Sequence, residues 1–432
     1  MNTEYDVIVV GGRASGSNLA ARLGQMGMRV LIVERNSFPS LPPVSSPIIY
    51  ASTMSMLDEI GANEAEYARN TPHLHHMVTV NSAFTGKIRI PMYQGRDYGY
   101  AIDRARFDEA LWNTATALPN VDGKQNFSVT DLLTDDEGRV CGIVGKHDGQ
   151  TVTITAKGVV GADGRFSVVA RKTNAPETDQ NEENPTSIYY AYWRGLTPFD
   201  EEGAAAVAYE ADGTFGYLVM DSADGQTVVC VEGRSSVIDP DGEQLENFYL
   251  ELLQRNEKLW ARMENAERVT SIRGMRDIGN NYRQAGGEGW ALVGDAYHQK
   301  DPLDGQGIYD AIFTGRVLAS ALKRWHGGKI SWSGAIQAYD RVARMKTYPM
   351  YKTLQGRVKN SFYNTITLPI PSWAVGKVGE WVVQDPQMSE LMGRLLTRQI
   401  PPDMISLFLP PVVIGAIARG GLKELRQRMN LT

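Results

Sequence analysis

The sequence predicts an α/β protein in three parts: a parallel, helix-wound sheet that opens the chain, an inserted β-sheet lobe, and a C-terminal run of helices. Three observations carry this prediction. The stretch at 6–10, continuously apolar after Asp6, ends in glycine, gives way to an Ala- and Leu-rich stretch, and is followed by 29–33, apolar after Arg29. That is the pattern of a strand–helix–strand unit whose strands are buried on both faces. Residues 187–234 are rich in β-branched and aromatic residues and read as a separate sheet. Beyond about residue 331 the apolar spacing turns helical, with proline-rich joints at 368–372 and 401–402. A chain of 432 residues exceeds the roughly 250–300 at which single cores stop growing, so more than one lobe is expected.

In chain order, the strand at 6–10 feeds the turn Gly11-Gly12-Arg13-Ala14-Ser15-Gly16, after which 14–28 reads as a helix and 29–33 as the next strand, closed by Glu34. Ligands of open α/β sheets lie outside the carboxyl ends of the strands, so this turn is the expected place of a dinucleotide. The turn keeps the first and third glycines of GxGxxG, whereas Arg13 stands where the second lets backbone approach a pyrophosphate. The start of the helix still offers unpaired N–H groups and its positive end to a phosphate. Glu34, about 20 residues on, suits a ribose hydroxyl. Arg13 either reaches a phosphate or points outward, and a glycine-rich turn without nucleotide is the plainer alternative.

Residues 127–160 alternate short strands with the turns DDEG and HDGQ, a β-meander laid on the first unit, and 158–161 is another buried strand. In the second lobe, 188–193 and 217–219 are candidate strands. A further apolar strand at 290–293 ends in Gly294-Asp295 and is followed by helical periodicity over 307–323, returning the chain to its first lobe. The expected division is a discontinuous nucleotide lobe (1–72, 98–185 and 275–335), a substrate-binding β-sheet lobe (73–97 and 186–274) and a helical region (336–432).

Composition is that of a soluble globular protein, with 42% hydrophobic and 22% charged residues. The net charge of -6 argues against nucleic acid as a partner and leaves a small organic molecule. Cys141 and Cys230 stand far apart, with neither a disulfide framework nor zinc spacing. The first strand begins too early for a signal peptide, so a cytoplasmic location is expected. The longest apolar run, 404–418, carries Pro410 and Pro411 and falls short of the roughly 20 residues that span a bilayer. It reads as a buried joint between helices, with contact to a membrane surface as the less favoured alternative.

Three further motifs stand in order: RARFDEAL at 104–111, GADGRFSVVAR at 161–171 and GDAYHQKDPLDGQG at 294–307. Together with the glycine turn they resemble the FAD-binding family that holds p-hydroxybenzoate hydroxylase-like (group A) flavoprotein monooxygenases, flavin-dependent halogenases and geranylgeranyl reductases. The resemblance implies a Rossmann-like (GR2-type) FAD-binding domain with an inserted β-sheet substrate domain and C-terminal helices. It assigns FAD contacts to Gly11, Gly12, Arg13, Ala14, Ser15, Gly16, Glu34, Arg35, Arg104, Val129, Asp163 and Gly164. From the last motif it adds Gly294, Asp295, Pro302, Gly305, Gln306, Gly307 and Ile308. The chain departs from the family pattern at Arg171, one residue late, and at Tyr309, where many members carry Asn. The resemblance further implies that NAD(P)H reduces the flavin in a transient visit, since no second dinucleotide fingerprint occurs. Oxygen then adds, and the flavin hydroperoxide hydroxylates or epoxidises an apolar or aromatic small molecule.

An oxygen-independent reductase or saturase of isoprenoid chains, of the geranylgeranyl reductase type, is the rival within enzymes. Halogenation is weaker: no WxWxIP motif occurs among the eight tryptophans, and no lysine placed to relay an oxidant is recognisable. A non-redox prenyl-binding carrier is opposed by the Asp295 signature. His298, inside that signature, is the one candidate acid or base. Tyr190, Tyr192, Phe215 and Tyr217 are candidate walls of a substrate pocket, although strand packing alone also asks for such residues. His73, His75 and His76 lack the carboxylate or cysteine that would complete a metal site, so no metal is expected.

Overall fold

The computed structural model describes residues 5–41, 46–81, 84–211, 213–240, 244–364 and 372–429. The strand Val7–Val10 lies inside a six-stranded sheet, with Val30–Val33 and then Val121–Lys124 on one side, and Val159–Gly161, Trp290–Leu292 and Gly286–Gly287 on the other. All pairings are parallel except that of the short Gly286–Gly287 edge. Every residue of Val7–Val10 and Val30–Val33 is buried, which is why the two stretches are continuously apolar rather than alternating. The helix Ala14–Gln25 joins them and packs against the later helix Gly307–His326, where Asn18 Nδ2 donates to the Ile312 carbonyl at 2.9 Å. The expected meander is present as Ser128–Thr134, Val140–His147 and Gln150–Thr155, antiparallel throughout.

The second lobe is an eight-stranded sheet. Its path runs Glu267–Arg268, Thr186–Arg194, Gln226–Arg234, Phe215–Asp221, Ala206–Glu210, His76–Val80, Thr85–Arg89, and Arg273–Met275 also pairs with Thr186–Arg194. Its two faces are sorted by alternation. Tyr189, Phe215, Tyr217, Val229 and Val231 point outward into a core closed by the helices Leu245–Gln254 and Glu257–Arg262. Ile188, Tyr190, Met220, Val228 and Cys230 point inward against Ile48, Tyr50 and Leu74.

The helices Trp332–Val358, Ser372–Gln384, Pro386–Leu396 and Ile405–Arg428 follow. Most of the joint expected at 368–372 lies outside the described residues. Among the described residues no helix is long and apolar enough to cross a membrane. The apolar run at 404–418 is not the buried joint expected. It belongs to the single helix Ile405–Arg428, with Leu407 69% and Ile414 68% exposed. The reason is packing: buried Ala416 and half-buried Gly420, the latter against the Trp381 ring, mark one side, and the opposite side is left exposed.

Candidate nucleotide and substrate site

The three signature loops meet at the carboxyl end of the parallel sheet. Gly11 has φ +103°, and a Cβ there would lie 2.5 Å from the carbonyl oxygen of Ala162. Glycine is therefore required both by conformation and by the close approach of the 162–163 turn. Gly294 is also left-handed, with the Ser15 hydroxyl 2.9 Å from where its Cβ would stand. The strands carry this convergence, since Ala162 N–H donates to Val10 O at 2.7 Å and Val293 N–H to Gly161 O at 2.9 Å.

The helix Ala14–Gln25 starts with no side-chain cap, leaving the N–H groups of Ala14, Ser15 and Gly16 without helical partners. Glu34 is 5% exposed and accepts the N–H groups of Gly12 at 2.9 Å and Asn36 at 3.1 Å, which fixes a buried carboxylate at the end of the second strand. Arg13 is turned sideways. Its guanidinium donates to Asp108 at 2.8 Å, to Ser40 O at 2.8 Å and to Ser40 Oγ at 3.0 Å. Arg104 donates to the same carboxylate at 2.9 and 3.1 Å, so Asp108, with no exposure, joins the two arginines. Arg35 is exposed, and Val129 is partly buried in the meander.

Asp163 turns its carboxylate into its own turn, accepting from the Ser167 hydroxyl and the Val168 N–H, both at 2.6 Å. Burial pushes its carboxyl above the usual range despite these bonds. Gly164 beside it, at φ +78°, has open space where a side chain would be, and Arg171 is exposed. Asp295 differs: its side chain is 44% exposed, and its charged neighbour, Arg165, stands 3.9 Å away. Pro302 opens a short helical turn closed by left-handed Gly305. The helix Gly307–His326 then begins with buried Ile308 in its first turn and without a side-chain cap. Gln306 is anchored to the C-terminal helices, donating to Leu396 O at 2.6 Å. Two uncapped helix starts and a half-exposed carboxylate fit the diphosphate, the ring that becomes anionic and the polyol chain of FAD.

Beneath this loop lies a buried ionic cluster whose members the sequence did not bring together. Lys300 Nζ stands 2.8 Å from Asp310 and also pairs with Asp304, while Arg398 reaches Asp310 at 3.3 Å. Burial alone would push the Asp310 carboxyl up, but Lys300, Arg398 and His298 outweigh it and hold it below the usual range. His298 is enclosed, with Nε2 3.6 Å from Asp310 and its ring stacked 4.9 Å from that of Tyr282.

A second feature was also missed. Asp301 accepts from the Thr186 hydroxyl at the inner edge of the second sheet. Glu232, diagonal to Thr186 on the neighbouring strand, faces the same carboxylate with Oε1 buried and without a hydrogen-bond partner. Burial and the adjacent Asp301 push the Glu232 carboxyl well above its usual value. The adjacent Lys300, Asp301 and Asp304 were visible in the signature, but Glu232 and Arg398 are distant in sequence and carry no motif.

Of the four aromatic candidates, Tyr190 and Tyr192 lie on the inner face. Phe215 and Tyr217 do not, and this corrects the expectation. Alternation along their strand sends them to the outer core, where the Tyr217 hydroxyl donates to Leu252 O at 2.5 Å. His73 stacks on Tyr98 at 3.7 Å, His75 Nδ1 lies 3.2 Å from Asp97 O, and His76 Nδ1 lies 3.9 Å from Glu202.

Comparison with known proteins agrees with this layout. Digeranylgeranylglycerophospholipid reductase of Methanosphaerula palustris is 27% identical over 370 residues, 84% of this chain and 87% of that protein. The 1H-pyrrole-2-carbonyl-[peptidyl-carrier protein] brominase of Pseudoalteromonas luteoviolacea is 23% identical over 346 residues, 78% of this chain and 81% of the relative. Among solved structures, flavin-dependent brominase Bmp2 superposes with TM-score 0.76 at 18% identity, covering 97% of this chain and 99% of that one. PqsL, a probable FAD-dependent monooxygenase from Pseudomonas aeruginosa, gives 0.63 at 18% identity, covering 82% and 94%. These structural likenesses speak to fold. The family model described as FAD binding domain matches residues 4–343, and the chain accordingly belongs to this family of flavoprotein oxidoreductases.

Proposed function

We propose that the protein is an FAD-dependent monooxygenase, reduced by NAD(P)H, that hydroxylates or epoxidises an apolar or aromatic small molecule. The observation that carries this reading is the inner face of the second sheet. Tyr190, Tyr192, Leu218, Cys230 and Met275 form an apolar surface there, next to the Thr186–Asp301 contact that touches the loop leading into Pro302. Bound FAD supplies hydride acceptance from NAD(P)H and activation of dioxygen. The chain supplies position and electrostatics. The starts of the helices Ala14–Gln25 and Gly307–His326 hold the diphosphate and favour negative charge on the ring, Asp295 accepts a ribityl hydroxyl, and Glu34 accepts from the ribose. The inner face excludes water from the substrate side. Lys300, next but one before Pro302, is held by Asp304 and Asp310, which disfavours it as the relay lysine of halogenation.

A second reading, oxygen-independent reduction of isoprenoid double bonds, is favoured by the 27% identity to the archaeal lipid reductase. Purified holoenzyme in an oxygen electrode, supplied with NADH or NADPH and a panel of aromatic and isoprenoid compounds, separates the two. Monooxygenation consumes one dioxygen per nicotinamide and carries label from isotopic dioxygen into product. Anaerobic turnover with a saturated product replaces the first reading by the second, and a flavin that no nicotinamide reduces removes the first.

A further inference from the structure

Of the large apolar side chains most exposed among the described residues, a disproportionate share lies on one helix: Leu407, Phe408, Ile414, Leu422 and Leu425, with Met404 and Met429 at its two ends. At about 100° per residue these five fall within an arc of roughly 120°. Exposed Pro411 and Ala418 lie in the same arc, while buried Ala416 lies on the opposite side. The 24-residue helix is about 36 Å long, so the stripe is continuous over that distance. A contiguous exposed apolar strip of this size marks a contact surface.

The charges beside the strip choose the partner. Arg426 and Arg419, both exposed, fall at or near one border of the arc, and exposed Lys423 lies about 60° beyond it on the same side. Arg419 pairs with Asp385, and Glu424 pairs with Lys377 away from the strip, so Lys423 and Arg426 are the cations presented outward. On a chain of net charge -6 this is a local reversal of sign. An apolar face bordered by cations is the signature of a helix lying in the plane of a membrane surface. The strip also borders a mainly apolar groove of about 570 Å³ whose lining includes Leu391, Ile400, Met404, Phe408 and Val412 together with the paired Glu390 and Arg394. The helix that forms one wall of the groove, Pro386–Leu396, ends at Leu396, which packs against the inner-face cluster and accepts from Gln306 of the flavin loop.

We propose that the helix Ile405–Arg428 seats the protein on an anionic lipid surface, with the groove opening toward the bilayer on the side from which an apolar substrate reaches the inner sheet face. The seating does not depend on the chemistry assigned above. It is tested with FAD-loaded full-length protein and sedimented vesicles of phosphatidylcholine alone or with phosphatidylglycerol. Each cation near an anionic surface contributes about fivefold, so Lys423 and Arg426 together give roughly thirtyfold tighter binding to the mixed vesicles at low salt, lost in high salt. The double substitution Leu407→Glu and Ile414→Glu abolishes binding, and both positions are exposed enough for FAD content to remain that of the parent. Failure of the parent to sediment with either vesicle overturns the proposal, as does unchanged binding of the double variant. A dimer in solution that the same two substitutions dissociate assigns the strip to a second copy of the chain and also overturns it.

Discussion

Asp108→Asn is the sharpest test of how the nucleotide loop is held. Asp108 has no exposure and accepts from Arg13 at 2.8 Å and from Arg104 at 2.9 and 3.1 Å. Removing one partner of a buried ion pair costs about 3–5 kcal/mol, because the charge left behind is unsolvated. Two features pull the value to the low end. Arg13 is 18% exposed and keeps Ser40 O and Ser40 Oγ, and the asparagine oxygen still accepts from one arginine. Arg104, at 8% exposure, is the more enclosed of the two arginines. The expected loss is about 3 kcal/mol, a large share of the roughly 5–15 kcal/mol typical of a folded protein. Arg13→Ala leaves the Arg104–Asp108 pair intact and should cost only about 1–1.5 kcal/mol, the worth of one charge-assisted bond. Urea titration of holoprotein, followed by tryptophan fluorescence, reads both; buried Trp112 is one turn along the same helix, against Gly12. A loss under 1 kcal/mol for Asp108→Asn, or a larger loss for Arg13→Ala than for Asp108→Asn, refutes the picture of a buried acceptor joining the two arginines.

Three further outcomes follow from the same geometry. Asp295→Ala should lose most bound flavin while leaving the fold intact, because the side chain is 44% exposed and its carboxylate comes no closer than 3.9 Å to the Arg165 guanidinium; flavin absorbance per protein reads this, and full retention removes the ribityl assignment. Glu232 has a folded-state pKa raised above its usual 4.5, so its contribution to stability is complete below that value and declines as pH rises, while the unfolded chain releases the proton that the folded chain keeps. Glu232→Gln should therefore flatten the fall of the urea midpoint above pH 4.5, by at most about 1.4 kcal/mol per pH unit, and a parallel pH dependence in parent and variant contradicts a buried neutral carboxyl. Phe215→Ala should lower stability by about 3–5 kcal/mol with substrate KM unchanged in the protein that remains folded, whereas Tyr190→Ala should raise KM; the reverse pattern restores Phe215 to the pocket.

The parallel sheet was legible because both of its faces are covered. Burial on both faces makes 7–10 and 30–33 continuously apolar, and glycine is demanded at position 11, where a Cβ would lie 2.5 Å from the Ala162 carbonyl oxygen. The second sheet was legible as a sheet but not as two faces. Tyr190 and Phe215 are both buried aromatics on strands, and only the pairing Tyr190–Cys230–Leu218 shows that odd positions in the 215 strand turn away from the first lobe. A register is a relation between strands, so no single stretch of residues contains it. The same holds for charge. Arg13 looked like a failed glycine until Asp108, on a helix 95 positions later, gave it a partner, and Glu232 carries no motif because its role is defined by Asp301 across the lobe junction. The sequence signature therefore marks the half of the site that faces the cofactor, where each family member must meet the same molecule. The half proposed to face the substrate is set by cross-strand neighbours, and the Glu232–Asp301 carboxyls are a polar pair beside its apolar cluster.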